Sequence, residues 1–297
     1  MKTTFVLVAA LAAAVPARAD GPSAGDAEFS VPAATEPAAE TAAPPARKIL
    51  SLHAYADVES AYVCRGYIWD TRPYSAQFAD VEADFGAFGR VDAFVWTMSA
   101  MSGSGHAARM SRYAYAEIDY HLRYSFDLDL AENWRLRNSV SRQWVTNPGY
   151  CGGHTLFDWQ AMQALQNPWI TPYWRLRAIR KPIEETYWAV GVKRDFRLLD
   201  DLTLTVDFFG DLGDRRHFEN LYGPKPSNPD GHYRGGLQAL NLVFRLDWRL
   251  TENLGLFAFV GQFCLVSDDA RDAAKASPAP ESRRDLTYCG IGAALDF

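Results

Sequence analysis

Residues 113–127 read YAYAEIDYHLRYSFD, and side chains in this stretch alternate between apolar and polar types with a period of two. Ile118, Tyr120 and Leu122 occupy every second position, and Asp119 and His121 lie between them. A β-strand points successive side chains to opposite faces, whereas a helix would scatter the two types around its axis. The stretch therefore predicts a strand with one apolar face and one polar face.

The same alternation recurs from Lys48 to the end of the chain. Together with 113–127 it predicts twelve strands, the others being 51–63, 77–85, 90–98, 134–145, 156–165, 170–179, 186–198, 202–211, 236–250, 255–266 and 285–297. Segment 156–165 also suits a short helix, and the apolar face of 90–98 is ambiguous. Repeated amphipathic strands of this kind are typical of all-β proteins.

The connections between these strands alternate in length. Short ones span 86–89, 130–133, 166–169, 199–201 and 251–253; longer ones, rich in Gly, Pro and Ser, span 65–76, 99–112, 146–155, 212–235 and 267–284. The connection 180–185 is brief although it falls on the long side. An up-and-down antiparallel transmembrane β-barrel has short turns at its periplasmic end and long loops outside, so both ends of the predicted barrel lie on the periplasmic side.

The first 47 residues have a different character. Residues 1–19 combine Lys2, an apolar run over 5–15 and the sequence Ala17-Arg18-Ala19, which is the order of a cleavable signal peptide. Residues 20–47 are rich in Ala, Pro, Glu and Thr and predict a disordered periplasmic tether. The barrel is then expected over 48–297.

Composition excludes several classes of protein. Without Lys2 and Arg18 the chain keeps about 28 basic residues against 36 acidic ones, a net charge of about −8, which argues against a nucleic-acid partner. No later stretch has about 18 uninterrupted apolar residues, as a helical membrane span requires. A secreted β-sandwich and an outer-membrane barrel remain. The aromatic content of 13% with a mean hydropathy of −0.21 favours the barrel.

The last predicted strand supports the same choice. It places Ile291, Ala293, Leu295 and the terminal Phe297 on one face. This ending is similar to the signal by which outer-membrane barrels are recognised for assembly. We therefore expect a location in the outer membrane of a Gram-negative-type bacterium, with the lipid bilayer, the barrel assembly machinery and small solutes as partners.

A short box near the start of the barrel resembles a known family. Tyr62-Val63-Cys64-Arg65-Gly66-Tyr67 is similar to the tyrosine, valine, any residue, arginine, glycine box in the first hairpin of the TorF-like family of bacterial porins. Gly86-Ala87-Phe88 and Thr186-Tyr187-Trp188 are weaker matches. The resemblance covers roughly residues 51–297 and implies a channel-like barrel. The chain departs from the family in its tether and in Cys64.

Assigning each apolar face to lipid predicts which side chains point into the lumen. The early strands form an acidic wall of Asp57, Glu59, Asp80, Glu82, Asp84, Glu117 and Asp119. The later strands form a basic wall of Arg135, Arg137, Arg175, Arg177, Lys193, Arg197, Arg245 and Arg249. In an open lumen, walls of opposite sign would orient dipolar solutes and filter ions. In a closed barrel the same groups would form a salt-bridge network.

Four cysteines allow three pairings. Their positions favour disulfides between Cys64 and Cys151 and between Cys264 and Cys289, because the periplasm is oxidising. Strict alternation points Cys264 inward with Gln262 but Cys289 outward with Ile291, so the second pair needs a bulge. Metal binding is the rival interpretation, but no short CxxC or HxxxH spacing supports it, and we predict neither metal nor cofactor.

Catalysis needs a nucleophile, a base and an orienting group within reach of one another. His106, His154, His217 and His232 fall in predicted loops and are interpreted as solvated, whereas His53 and His121 are predicted to face the lumen. His121, two residues from Asp119, has the only neighbours that look catalytic, and no Ser lies beside it. The sequence thus predicts no catalytic residue and favours a passive channel for small hydrophilic solutes. A closed structural or adhesive barrel is the alternative, and an outer-membrane hydrolase a weaker one.

Overall fold

The computed structural model of the chain describes residues 49–101, 117–146, 155–181, 183–223, 225, 231–276 and 284–297. The predicted signal peptide and tether lie outside these residues. The strands are β1 Leu50–Glu59, β2 Tyr62–Cys64, β3 Tyr67–Asp70, β4 Tyr74–Asp84, β5 Arg90–Ala100, β6 Glu117–Ala131, β7 Trp134–Thr146, β8 Leu156–Gln166, β9 Thr171–Lys181, β10 Glu185–Arg197, β11 Leu202–Gly213, β12 Gly236–Arg249, β13 Leu254–Leu265 and β14 Asp285–Asp296. Two helices are α1 Arg215–Tyr222 and α2 Asp268–Ala276.

Twelve of these strands form one closed antiparallel barrel, as the alternation predicts. Each barrel strand pairs with its neighbours along the chain, and β1 closes the ring by pairing with both β14 and β4. At the seam, Leu52 and Phe297 exchange both backbone hydrogen bonds, at 3.0 and 2.9 Å. Closure leaves no unpaired sheet edge, which is what a strand protein in lipid requires.

The short and long connections lie at opposite ends of the barrel. Turns with positive φ end the short ones, for example Asn133 at φ 61° between β6 and β7 and Gly89 at φ 90° between β4 and β5. Strands Leu50–Glu59 and Asp285–Asp296 begin and finish at the end with the short turns. Within the described ranges, no helix is long and apolar enough to span a membrane.

The outer face of the barrel is apolar. Leu122 on β6 is 50% exposed and Ile291 on β14 is 66% exposed. Apolar residues two positions away on β6 and four positions away on β14, such as Tyr120 and Leu295, are exposed as well. Tryptophan rings gather near the short-turn end, where Trp134 and Trp169 lie edge to face with centroids 5.8 Å apart. An apolar belt bordered by aromatic rings is suited to a bilayer rather than to water.

Two predicted boundaries are wrong at the first connection. The strand predicted over 51–63 ends at Glu59, because the backbone turns where Ser60 donates a hydrogen bond to the carbonyl of Cys289 at 2.8 Å. The loop predicted over 65–76 holds most of a separate hairpin, β2–β3, which pairs with no barrel strand. Segment 156–165, which also suited a helix, is a strand.

The hairpin β2–β3 lies inside the barrel. Its buried side chains Val63 and Ile68 belong to one apolar cluster with inward-facing residues of β8 to β14, including Phe263 and Tyr288. Phe218 of α1 and Ala273 of α2 join the same cluster. An apolar core therefore fills much of the interior along β8–β14, and the two helices cover it at the long-loop end.

Glycines on the last strands make room for this core. A Cβ atom at Gly261 would collide with the ring of Tyr288, and Cβ atoms at Gly290 and Gly292 would collide with the rings of Phe259 and Phe257. The rings consequently lie flat across the inner wall. Only residues without a side chain permit so close an approach.

Candidate functional site: the barrel interior

The predicted acidic wall lies on β1, β4 and β6, with β5 between the last two. Asp57 and Glu59 on β1, Asp80 on β4, and Glu117 and Asp119 on β6 are all buried. Glu82 and Asp84 are half-buried, nearer the short-turn end. Register places Asp57 beside Ala76 and His53 beside Asp80.

The predicted basic residues lie on β7, β9, β10 and β12. Arg137, Arg175, Arg177, Lys193 and Arg245 are buried. Arg135 and Arg197 are half-buried, and Arg249 is exposed at the short-turn end. The structure thus puts the two sets on different parts of the ring.

Acidic partners accompany several of the basic residues. Arg137 donates to both carboxylate oxygens of Asp127 at 3.0 and 3.1 Å, and Arg177 donates to Asp158. The other contacts are Arg135 to Asp129 at 2.7 Å, Arg197 to Asp200 at 2.7 Å, Arg245 to Asp247 at 2.8 Å and Lys193 to Asp195 at 4.0 Å. These aspartates were missed because the sequence analysis followed runs of like charge. Their inward parity on β6, β8, β10 and β12 was the available signal.

A hydrogen-bonded network joins the polar residues across β5 to β9. Arg123 binds Asp92 at 3.0 Å. Further along, Gln143 donates to Asp119 at 2.7 Å and accepts from Gln160 at 2.5 Å and from Arg177. All these side chains are buried, so each pair is shielded from water and holds its geometry.

The other side of the interior is mainly apolar and aromatic. Phe257 on β13 lies under the guanidinium of Arg245, whose carbon is 3.9 Å from the ring centroid. Tyr55 on β1 stacks on Phe78 at 4.9 Å and meets Phe257 edge-on at 6.0 Å. The interior thus has a polar wall over β5–β9 and an aromatic wall that runs over β13, β14, β1 and β4, a division that the sequence did not predict.

The Tyr-Val-Cys-Arg-Gly box forms the turn of the inserted hairpin. Arg65 and Gly66 have φ angles of 54° and 71°, the left-handed region in which glycine is favoured. Gln238 on β12 donates from Nε2 to the carbonyl oxygen of Gly66 at 2.7 Å. The box therefore ties the tip of the hairpin to the opposite barrel wall.

Helix α1 is fastened to the same turn through His217. Its Nε2 lies 3.2 Å from the carbonyl oxygen of Arg65, and its Nδ1 lies 3.3 Å from Glu185. Asn220 donates to the other oxygen of Glu185 at 2.8 Å. His217 is fully buried, so the prediction that it is a solvated loop residue is wrong. We call His217, Glu185 and Asn220 the α1 latch.

The remaining described histidines are His121, His53 and His232, and each contacts a different part of the barrel. His121 is buried and stacks on Phe94 with ring centroids 3.9 Å apart, as a wall residue does. His53 contacts Asp296 at 2.6 Å near the short-turn end, and His232 contacts Glu219 at 2.8 Å on the surface. His106 and His154 lie outside the described residues. That the barrel is not an enzyme stays a prediction.

The second predicted disulfide is wrong. Register pairs Cys264 with Asp285 and Cys289 with Val260, four positions apart along the hairpin. At about 3.4 Å per residue, this offset exceeds the reach of a disulfide. The prediction that Cys264 points inward with Gln262 is also wrong: Cys264 shares the outer face with Cys289, because the buried inward residues of β13 are Phe257, Phe259 and Phe263. The pair of Cys64 with Cys151 stays a prediction, since Cys151 lies outside the described residues.

Helix α2 is held by an acidic anchor at the long-loop end. Asp269 accepts from Lys225 at 2.7 Å and from the backbone amide of Arg234 at 2.9 Å. Burial raises the pKa of Asp269, but these two hydrogen bonds outweigh it, so its pKa lies below the ordinary value. Across the described ranges, no group of three or more His, Cys, Asp or Glu side chains is arranged to hold a metal ion.

The fold is that of outer-membrane channels. The chain matches no protein-family model. No curated protein matches its sequence either. An outer-membrane channel from Pseudomonas putida F1 is 8% identical, covering 87% of this chain and 100% of that one, with a TM-score of 0.50. The barrel therefore has the fold of an outer-membrane channel.

Two other solved barrels resemble it more weakly. A KdgM porin in complex with disordered oligogalacturonate is 8% identical, covering 83% of this chain and 99% of that chain, with a TM-score of 0.48. The translocator domain of the autotransporter NalP from Neisseria meningitidis is 12% identical, covering 86% and 90%, with a TM-score of 0.47.

Proposed function

We propose that this barrel is a channel for passive diffusion of small hydrophilic solutes, and that hairpin β2–β3 closes its outer half in the conformation described above. The supporting observation is the polar network across β5–β9. In the described conformation Asp119, Gln143 and Arg177 bond to one another, and we propose that in an open barrel they replace part of a solute's hydration shell. A barrel with a purely structural role gains little from such a wall, because burying charge is costly.

Opposed acidic and basic walls remain part of this proposal, but the two walls are neutralised by partners to different extents. Several basic residues have an acidic partner on their own or an adjacent strand, as Arg137 has Asp127. Asp57, Glu59 and Asp80 each have one buried carboxylate oxygen without a hydrogen-bond partner among the described residues. The acidic pole is thus the less compensated one, so we expect a conducting pore to prefer cations or zwitterions.

Single-channel recording of the refolded protein in planar bilayers tests the proposal. The informative variant replaces residues 61–72 by a short Gly-Ser linker, which removes Val63 and Ile68 from the core. We expect this variant to show larger or longer conductance steps than the wild type and to prefer cations. Adding Asp57→Asn and Glu59→Gln to it should lower that cation preference. A matched control replaces Glu252, an exposed acidic residue in the short turn after β12, by Gln, which should leave both quantities unchanged.

A closed structural barrel is the second candidate. Burial favours it, because inward residues such as Leu156, Val243 and Phe263 are 0 to 1% exposed. If neither the wild type nor the hairpin-deleted variant conducts, although both migrate as heat-modifiable folded barrels, the channel proposal fails and this candidate replaces it.

Membership of the TorF-like family is a further part of the proposal. Its support is that the box residues Arg65 and Gly66 occupy a tight turn inside the barrel. The test is functional exchange: the box hairpin of a TorF-like barrel, grafted in place of residues 61–72, should preserve the conductance of the wild type. Loss of the wild-type conductance in a folded graft would argue against membership.

A further inference from the structure

Arg142 lies on the outer, lipid-facing surface of the barrel. Register places it between Leu122 of β6 and Trp159 of β8, and Leu122 is half-exposed on that surface. It is four residues from the end of β7 at Thr146, close to the long-loop end. A guanidinium facing the hydrocarbon costs about 2–4 kcal/mol at mid-bilayer and much less near an interface, so its position calls for a compensating group.

Aromatic rings surround this guanidinium. Its carbon lies 4.7 Å from the ring centroid of Trp159, 5.8 Å from that of Phe157 and 5.9 Å from that of Trp144. Its Nε is buried and has no hydrogen-bond partner among the described residues. The rings orient the guanidinium and exclude water, yet they supply no acceptor oxygen.

Two more basic residues stand next to the same rings. Phe157 pairs with Lys181 on β9, and a bulge at this point leaves Arg180 as an extra residue beside Lys181. Lys181 lies two strands away from Arg142 and two positions nearer the long-loop end, so their backbones are about 12 Å apart across the surface. Bulges re-aim side chains in this way at barrel rims. We call Arg142, Trp159, Phe157, Lys181 and Arg180 the rim patch.

A recess continues from the rim patch towards α1. It has a volume of about 510 Å³ and is lined by Arg180, Glu184, Thr186, Asp214, Arg215 and Arg216. Its two acids are already engaged: Glu184 binds Arg216, and Asp214 caps α1 by accepting from the amide of His217 at 2.7 Å. The half-exposed Arg215 is paired with Glu219 at 3.5 Å, so Arg180 is the lining residue that we assign to an anion.

We propose that the rim patch and this recess bind the phosphorylated saccharide headgroup of an outer-leaflet glycolipid, lipopolysaccharide. The patch lies at the end with the long loops, which faces the cell exterior in outer-membrane barrels. Arg142 donates to one phosphate from beneath its aromatic cover, Lys181 supplies a second charge, and the saccharide enters the recess beside Arg180. A guanidinium fits phosphate by paired hydrogen bonds, whereas the rings cover the acyl-chain side.

Arg194 provides a matched control at the opposite end. It also lies on the outer face, with its guanidinium carbon 4.8 Å from the ring of Phe196, and its Nε is likewise buried without a partner among the described residues. It is three residues from the short-turn end of β10 at Arg197. The proposal assigns no glycolipid contact to it.

Native mass spectrometry of the refolded full chain tests the proposal with three probes: bis-phosphorylated lipid A, its dephosphorylated form, and phosphatidylglycerol. We expect bis-phosphorylated lipid A to bind at least tenfold more tightly than the other two. Arg142→Gln should weaken its binding about tenfold, the loss expected for a hydrogen bond to a charged group. Arg194→Gln should leave it unchanged.

Three results would overturn the proposal. Equal binding of the dephosphorylated lipid would exclude phosphate recognition, and this comparison uses only the wild type, so it does not depend on a variant folding. Phosphatidylglycerol binding as tightly as lipid A would assign the patch to phospholipid instead. Unchanged lipid A binding by a heat-modifiable, folded Arg142→Gln would remove the patch from the site.

Discussion

Gln238 and Gly66 are 172 residues apart in sequence, and the side chain of Gln238 donates to the carbonyl oxygen of Gly66 at 2.7 Å. This contact joins the tip of the inserted hairpin to barrel strand β12. Gln238 also donates to the hydroxyl of Tyr222 at 2.9 Å, so the same amide reaches helix α1. One side chain thus links the hairpin, the barrel wall and helix α1. A change at Gly66 or at Tyr222 should therefore lower the stability of all three elements.

Gly66→Ala should destabilise the hairpin strongly. The residue has φ of 71°, and a Cβ there would lie 2.9 Å from Gln238. Backbone strain and overpacking together should cost about 2–5 kcal/mol of unfolding free energy. Gly223→Ala is the control, because Gly223 has φ of 73° but nothing within 4 Å, so it should lose only about 1–2 kcal/mol. Urea unfolding followed by tryptophan fluorescence measures the unfolding free energy of both variants. Equal losses would show that the clash with Gln238 contributes nothing.

Breaking the α1 latch should release the cap. His217→Ala removes the contacts to Arg65 and Glu185 and leaves the buried Glu185 with fewer partners, at a cost of about 3 kcal/mol. Proteolysis should then cut within 215–222 faster than in the wild type. His232→Ala, at an exposed site beside Glu219, should change neither stability nor cleavage. Wild-type cleavage rates in His217→Ala would contradict the assigned role.

The buried pair of Arg177 and Asp158 should show strong coupling in a double-mutant cycle. Arg177→Gln alone leaves the buried carboxylate of Asp158 without its ion-pair partner and should lower the unfolding free energy by about 3–5 kcal/mol. Adding Asp158→Asn should recover much of that loss. The exposed pair of Arg197 and Asp200 is the comparison, with an expected coupling of about 0–1 kcal/mol. Similar couplings for the two pairs would show that water reaches Arg177.

Acid should undock α2. The pKa of Asp269 is lowered in the folded state, so its anchor contributes stability fully above the unfolded pKa of about 3.9 and loses it as pH falls through the lower folded value. Protection factors in 268–276, which are corrected for the intrinsic pH dependence of amide exchange, should therefore fall as the pH is lowered from about 5 towards 3. In Asp269→Asn the protection factors should be lower at neutral pH and flat over the same range. An unaltered pH profile in that variant would assign the effect to another group.

Cys264 and Cys289 should not form a disulfide with each other. The register holds their backbones four positions apart on β13 and β14. Mass mapping of non-reduced protein should find no peptide linking the two residues, and after unfolding without reductant both should be alkylated. A Cys264 to Cys289 link in folded protein would mean that this hairpin has a different register.

Local patterning determined the barrel. The alternation of Ile118, Asp119 and Tyr120 fixes the face of each side chain within its own strand, and the short turns fix antiparallel neighbours, so the twelve barrel strands follow from the sequence alone. The inward direction of buried residues such as Asp119 and Arg177 needed no long-range information either. Closure followed because an amphipathic sheet with no edge is the arrangement that lipid permits.

Only the tertiary structure decided what meets inside. His217 looked like a solvated loop residue, yet it contacts Arg65, 152 positions away, because the hairpin turns inward at Ser60 instead of extending β1. The basic residues were predicted to face the acidic wall, yet Arg177 meets Asp158 on the adjacent strand, because the register places Gln160 opposite Arg177 and Asp158 diagonal to it. Alternation specifies which way a side chain points. It does not specify which residue it meets, because that depends on strand stagger and on loop packing between segments distant in sequence.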